Sequence, residues 1–210
     1  MFEIRKDIEV KEEIFNGSKI FTIDNFYEDP DAILDYALNP LPPLWKMEDQ
    51  PSYNNVYFED RHSEIFCKEV EPVFYFLQSL CKQDFNNFGE FEANVTRFKK
   101  GSFNDYKNCY WIPHNDIGYG AIVYLNKDDT KSGTNFYECL DPENEPPEDI
   151  TEHQDPWRPK EKYKVIKHIE PKYNRMVLYD GMRFLHGMNI CNDDYFSDTY
   201  RVNQVYFFEY

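Results

Sequence analysis

Six short runs rich in aromatic and β-branched residues, at 91–98, 121–126, 134–138, 162–169, 175–179 and 201–208, constrain this chain more than any other feature. Such runs suit a pleated, half-buried surface, so the second half of the chain reads as a series of strands. The first half has a different texture. Residues 19–26 alternate Ile20, Thr22 and Asp24 against Phe21 and Ile23, which predicts one strand. Asp29-Pro30-Asp31 then supplies an N-cap, a proline at the first helical position and an acid in the first turn. The helix should reach about Leu38 and stop before Pro40, with Pro42, Pro43 and Trp45 in a loop. A second helix is expected over 63–81, where Ile65, Phe66, Val70, Val73, Phe74, Leu77 and Leu80 recur at three- and four-residue steps. Helices first and strands afterwards predict an α+β fold, the strands closing a double-sheet jelly roll, or double-stranded β-helix. One domain is expected over 1–210: a helical N-terminal support over 1–90, packed on one sheet, and the jelly-roll core over 91–210.

Composition narrows the function. Aromatic residues make up 18% of the 210, with 18 Phe and 17 Tyr, which is ample for a core. The net charge of −16 opposes nucleic acid and anionic membranes, because both need a positive surface. The five cysteines, Cys67, Cys81, Cys109, Cys139 and Cys191, are odd in number and form no C-x-x-C pair. That pattern suits reduced thiols in a cytoplasm. Residues 1–7 lack the apolar core of a signal peptide, and no run approaches the roughly 18 apolar residues of a membrane span. Between Glu138 and Lys160, Asp141, Glu143, Glu145, Glu148, Asp149, Glu152 and Asp155 predict an acidic surface loop or lid.

His114-Asn115-Asp116 sets an imidazole and a carboxylate two residues apart, and in an extended segment the two share a face. Two histidines and one carboxylate on one side of an ion make the facial triad of non-haem iron(II) oxygenases. A distal histidine is therefore needed. His62 looks like a surface residue at a helix entry, His153 lies in the acidic stretch, and His168 alternates within a strand and could face either side. His186 ends the apolar run from Met176 and precedes a strand headed by Arg201, which makes it the best candidate. A His-x-Asp triplet is a weak signal by itself, since a hydrogen-bonded structural histidine is commoner.

The order of motifs adds weight. Arg97-Phe98-Lys99-Lys100-Gly101 precedes the pair, and Tyr124-Leu125-Asn126 follows it. Next come Gly133-Thr134-Asn135-Phe136, the run 175–181 leading to His186, and Arg201-Val202-Asn203. This series resembles the 2-oxoglutarate/Fe(II)-dependent oxygenase superfamily, in particular its prolyl-4-hydroxylase-like branch. The resemblance covers about 91–210 and extends loosely to 20–38, which looks like the lead-in of some bacterial and phage members.

It implies that His114, Asp116 and His186 bind Fe(II) and that Arg201 pairs with the distal carboxylate of 2-oxoglutarate, a fork-to-fork geometry. Tyr124 would reach the same carboxylate, and Asn203, on the face of Arg201, would line the pocket. It further implies O2 as a substrate, release of succinate and CO2, and hydroxylation of a C–H bond in an amino-acid side chain, free or in a peptide, or in a small molecule. Two departures stand out. Phe98 occupies a position where several relatives carry Tyr, so a hydrogen bond to the metal-side carboxylate is either missing or supplied elsewhere, Asn94 and Thr96 being candidates. The stretch 102–111, with Phe103, Tyr106, Tyr110 and Trp111, looks longer than usual and is a candidate substrate wall.

Other readings are a jelly-roll binding module without catalysis and a cupin-type metal enzyme that does not use 2-oxoglutarate. The latter leaves Arg201 without a role. Hydrolase readings fail: there is no G-x-S-x-G, and neither Cys109 nor Cys191 has a histidine at suggestive spacing.

Overall fold

The computed structural model describes residues 1–38, 46–51, 57–64, 70–82, 87–98, 105–127, 133–144, 157–196 and 201–209, with 46–51, 57–64, 87–98, 144, 195–196 and 209 described as backbone only. Thirteen strands and two α-helices are present among them. The order begins β1 (Lys11–Phe15), β2 (Ser18–Ile23), α1 (Pro30–Leu38), β3 (Lys46–Pro51), β4 (Tyr57–Glu64), α2 (Glu71–Cys81) and β5 (Asn87–Phe98). It continues with β6 (Cys109–Trp111), β7 (Tyr119–Tyr124), β8 (Thr134–Cys139), β9 (Trp157–Pro159) and β10 (Tyr163–Ile169). The last strands are β11 (Arg175–Asp180), β12 (Leu185–Met188) and β13 (Arg201–Glu209).

Eight strands form one sheet in the order β1-β2-β11-β7-β13-β5-β4-β3, three form a second, β10-β8-β12, and β6 pairs with β9. Every pairing is antiparallel. Alternation along the central strands gives the large sheet two apolar faces. On one face Phe21, Ile23, Ala121, Val123, Met176, Leu178, Val202, Tyr206 and Phe208 cluster with Ile33 and Ala37 of α1 and Val73, Phe74 and Leu77 of α2. The opposite face contributes Ile20, Ile122, Tyr124, Val177 and Tyr179 to a cluster with Phe136 and Ile169 of the small sheet. The helices thus cover one face of the large sheet while the small sheet contacts the other.

Helix α1 starts where the sequence predicts, with the Asp29 carboxylate accepting from the Ala32 amide at 3.1 Å. The N-terminal part is not helical alone, since β1 to β4 extend the large sheet on both sides. The predicted helix over 63–81 is shorter, Glu71–Cys81, and Ser63 and Glu64 belong to β4. His62 therefore lies within a strand, opposite Asn94 of β5, and not at a helix entry. The β1–β2 hairpin was missed, although Asn16 and Gly17, at φ 46° and 80°, form the Asn-Gly turn that favours such pairing. The run 175–185 is not one strand: β11 ends at Asp180, and a turn leads into β12. Within the acidic stretch a 3-10 turn covers Pro142–Asn144, and β9 lies at its end. Its central residues, 145–156 with His153, lie outside the described residues, as do the 39–45 loop and Phe103.

None of the described cysteines, Cys81, Cys109, Cys139 and Cys191, is in a disulfide. Among the described residues no helix is long and apolar enough to cross a membrane.

Candidate metal centre

His114 follows β6 in an extended segment and forms an isolated antiparallel bridge with His186 of β12. Each histidine amide donates to the other's carbonyl at 2.8 Å. Residues directly opposite in an antiparallel pair project to the same side, which sets the two rings 4.5 Å apart. Asp116, two residues on, is held by its amide donating to Gly181 O at 3.1 Å in the β11–β12 turn. The intervening Asn115 donates from Nδ2 to the carbonyls of Gly181 at 3.1 Å and Met182 at 3.0 Å.

Two glycines make room for this arrangement. A Cβ on Gly181 would lie 2.8 Å from the Asp116 Cβ and 3.0 Å from Gly118 O. One on Gly187 would lie 2.8 Å from Trp111 O and 2.9 Å from Ile112 O, closing the gap between β12 and the strand that delivers His114.

Side-chain geometry follows from this frame. One donor atom from each of His114, Asp116 and His186 lies within 4.8 Å of the others. His186 Nε2 is 3.1 Å from Asp116 Oδ2, and His114 Nε2 is 3.7 Å from Asp116 Oδ1. Adjacent donors at ~2.1 Å from a shared divalent ion would be about 3 Å apart, so the set fits an ion after small movements. The ring orientations fit as well. His114 Nδ1 lies 3.0 Å from Ile112 O and His186 Nδ1 2.8 Å from Phe184 O. Carbonyls only accept, so each Nδ1 carries a proton; each Nε2 is the ring atom turned toward Asp116, where giving up its own proton would present a lone pair to an ion. Burial pushes the Asp116 carboxyl upward, but the His186 hydrogen bond and the charges of both histidines outweigh it and hold the group below the usual range. His186 is buried, whereas the His114 side chain is 39% exposed, so the cluster opens to solvent on the His114 side.

The remaining predicted residues fall on the face of the large sheet that looks toward the small one. Tyr124 ends β7 opposite Asn203 of β13, and Arg201 is two residues from Asn203. All three are buried. Tyr124 Oη is 2.8 Å from Thr134 Oγ1. Arg201 donates from Nη1 to Asn203 Oδ1 at 2.5 Å, and its Nε is enclosed without a hydrogen-bond partner. Among the described residues no carboxylate pairs with this guanidinium. A buried cation left in that state calls for an anion.

His168 is elsewhere, with Nδ1 2.7 Å from Asn135 Oδ1 and Nε2 3.6 Å from Glu170. Asn94, Thr96 and Phe98 lie in β5, where Thr96 is opposite Arg201 and Asn94 opposite Asn203. In the candidate substrate wall, Trp111 and Tyr106 cluster with Ile112, Trp157 and Ile190, and Tyr110 packs on Tyr137 at 4.8 Å.

Sequence reasoning assigned no role to Tyr179, although its place in the alternation of 175–179 put it on the face of Val177. Its ring meets that of His186 edge-on at 4.9 Å. Burial lifts its phenol well above the ordinary value, Asp116 and Tyr124 adding to this and Arg201 opposing.

No protein-family model and no curated protein matches the sequence. Solved structures do. One described as the non-heme alpha ketoglutarate dependent epimerase SnoN from nogalamycin biosynthesis superposes with a TM-score of 0.51 at 12% identity, over 89% of this chain and 77% of that one. A Pseudomonas putida prolyl-4-hydroxylase aligns at 12% identity with a TM-score of 0.43, over 91% of this chain and 92% of that one. The chain shares its fold with the epimerase of the first comparison, and its His114–Asp116–His186 cluster is set within that fold.

Proposed function

We propose that this protein is a 2-oxoglutarate- and Fe(II)-dependent dioxygenase of the prolyl-4-hydroxylase-like branch, built on a double-stranded β-helix. The observation that carries the reading is the convergence of two Nε2 atoms and one carboxylate, each histidine oriented by a backbone carbonyl at its Nδ1. Arg201 supports the step from a metal protein to a 2-oxo acid enzyme, because its buried guanidinium meets no carboxylate among the described residues and suits the far carboxylate of a metal-bound dicarboxylate.

In this reading His114, Asp116 and His186 hold the ion. Iron, with 2-oxoglutarate and O2, supplies oxidative decarboxylation to succinate and CO2 and the oxidation of a substrate C–H bond. Arg201 forms a charge-assisted pair with the distal carboxylate of 2-oxoglutarate, and Tyr124 and Asn203 line that end. About 13 Å of strand separates Gly120, beside Asp116, from Tyr124, at roughly 3.3 Å per residue. A five-carbon dicarboxylate met by long side chains spans that distance. Ile122, Phe136 and Val177 of the intervening cluster keep water out. The substrate is an amino-acid side chain, free or in a peptide, or a small molecule, and hydroxylation is the assigned outcome.

The test is an anaerobic titration of the protein with Fe(II) and 2-oxoglutarate, followed by admission of O2. A metal-to-ligand charge-transfer band and succinate that depends on both additions are expected. A protein that binds Fe(II) but gives neither is a metal protein of another kind.

A further inference from the structure

Tyr179 stands on the sheet face that carries Tyr124, with its ring beside His186. It lies opposite Gly120 in the β11–β7 ladder, and Gly120 shares its face with Tyr124 four residues on. At Gly120 the missing side chain leaves a gap: a Cβ there would be 3.5 Å from Asp116 Oδ2 and 3.9 Å from Tyr179 Cζ, the carbon that bears the hydroxyl. The ring is fixed on two sides, by His186 at 4.9 Å and Phe136 at 5.0 Å. The residue is 5% exposed, and among the described residues its hydroxyl has no hydrogen-bond partner. The hydroxyl oxygen is not among the enclosed unpartnered atoms, so it reaches open space although the rest of the residue is buried, and a polar ligand can meet it there. Phe would fill the apolar space equally well, so the hydroxyl needs its own explanation.

Geometry says where that partner lies. The hydroxyl-bearing carbon of Tyr179 and Asp116 Oδ2 flank the same Gly120 position, and the ring meets His186, so the phenol borders the candidate metal centre. Asp116 and Arg201 are its charged neighbours.

We propose that the Tyr179 hydroxyl donates a hydrogen bond to the metal-side end of bound 2-oxoglutarate, making Tyr179 a cosubstrate-binding residue alongside Arg201 at the opposite end. This rests on the 2-oxoglutarate reading above. The ring sets direction and the hydroxyl sets contact, so Tyr179→Phe separates them.

Iron-loaded wild type and Tyr179→Phe are compared anaerobically, with 2-oxoglutarate affinity read by calorimetry and the charge-transfer band by absorbance. Tyr179→Phe should bind Fe(II) as wild type does, bind 2-oxoglutarate about tenfold to a hundredfold more weakly, the scale of a hydrogen bond to a charged group, and shift the band. A variant with wild-type affinity and an unshifted band overturns the inference and leaves the function standing. A wild-type protein that binds Fe(II) but neither 2-oxoglutarate nor any analogue overturns both. Should the variant not fold, 3-fluorotyrosine placed at 179 in the zinc-loaded protein replaces it. A fluorine resonance that moves on adding 2-oxoglutarate supports the contact, and one that stays still overturns it.

Discussion

His114 and His186 lie opposite each other and exchange both backbone hydrogen bonds at 2.8 Å. The main chain therefore sets their separation, and truncating one side chain should leave the other in place. His114→Ala and His186→Ala should each abolish succinate formation while keeping the fold. His168→Ala, whose ring meets Asn135, should leave turnover near wild type. Succinate assays on the three purified variants check this, and equal loss in all three would point to the wrong distal histidine.

Arg201→Ala should keep Fe(II) binding and weaken 2-oxoglutarate binding by roughly 2–5 kcal/mol, the usual scale for truncating one partner of a buried charge pair. Arg201→Lys should restore only part, because an ammonium cannot make the two parallel bonds of a guanidinium. Calorimetry on iron-loaded variants measures both. Unchanged affinity in Arg201→Ala would remove the anchor assignment.

Gly181→Ala places a methyl 2.8 Å from the Asp116 Cβ, so the turn or the carboxylate must shift. Overpacking of this kind costs about 1–3 kcal/mol. Because the displaced group belongs to the candidate metal centre, Fe(II) affinity should fall along with the melting temperature. A melting temperature that drops while metal affinity holds would show that the turn absorbs the methyl without moving Asp116.

Asp24 directly follows β2 and meets Arg175 at the start of β11, Nε to Oδ1 at 2.6 Å, with Lys172 at 2.9 Å. The Arg175 hydrogen bond, opposed by burial and aided by Lys172, holds the carboxyl down at about 2. A folded-state value below the unfolded one, about 3.9, means the pair stabilises fully above that unfolded value. The stabilisation is lost as pH falls toward 2. Allowing for solvent screening at the partly exposed carboxylate, about 1–2 kcal/mol is at stake. Urea unfolding between pH 2 and 6 should show a steeper acid-side decline in wild type than in Asp24→Asn. Parallel curves would mean the pair adds nothing.

Local physics made part of this molecule readable in advance. The Asp29-Pro30 helix start, most of the central strands and the shared side of His114 and Asp116 all follow from caps, alternation and period two, which depend only on near neighbours along the chain. Where near neighbours mislead, long-range pairing decides. The helical spacing of 63–70 does not make a helix at its start, because β4 pairs with both β3 and β5 and the ladder takes Ser63 and Glu64. Lys11–Phe15, a charged edge strand, carries no apolar pattern to announce itself.

Sequence alone offered both His168 and His186 as partners for the pair, since both stand in or beside strands. Register settled which of them is adjacent: β12 runs beside β8 and bridges to His114, while His168 on β10 is engaged by Asn135. Tyr179 and Arg201, which meets no carboxylate among the described residues, belong to the same class of fact. Alternation tells which face a side chain takes, but the partners it meets or lacks on that face come from strands brought together from distant parts of the chain.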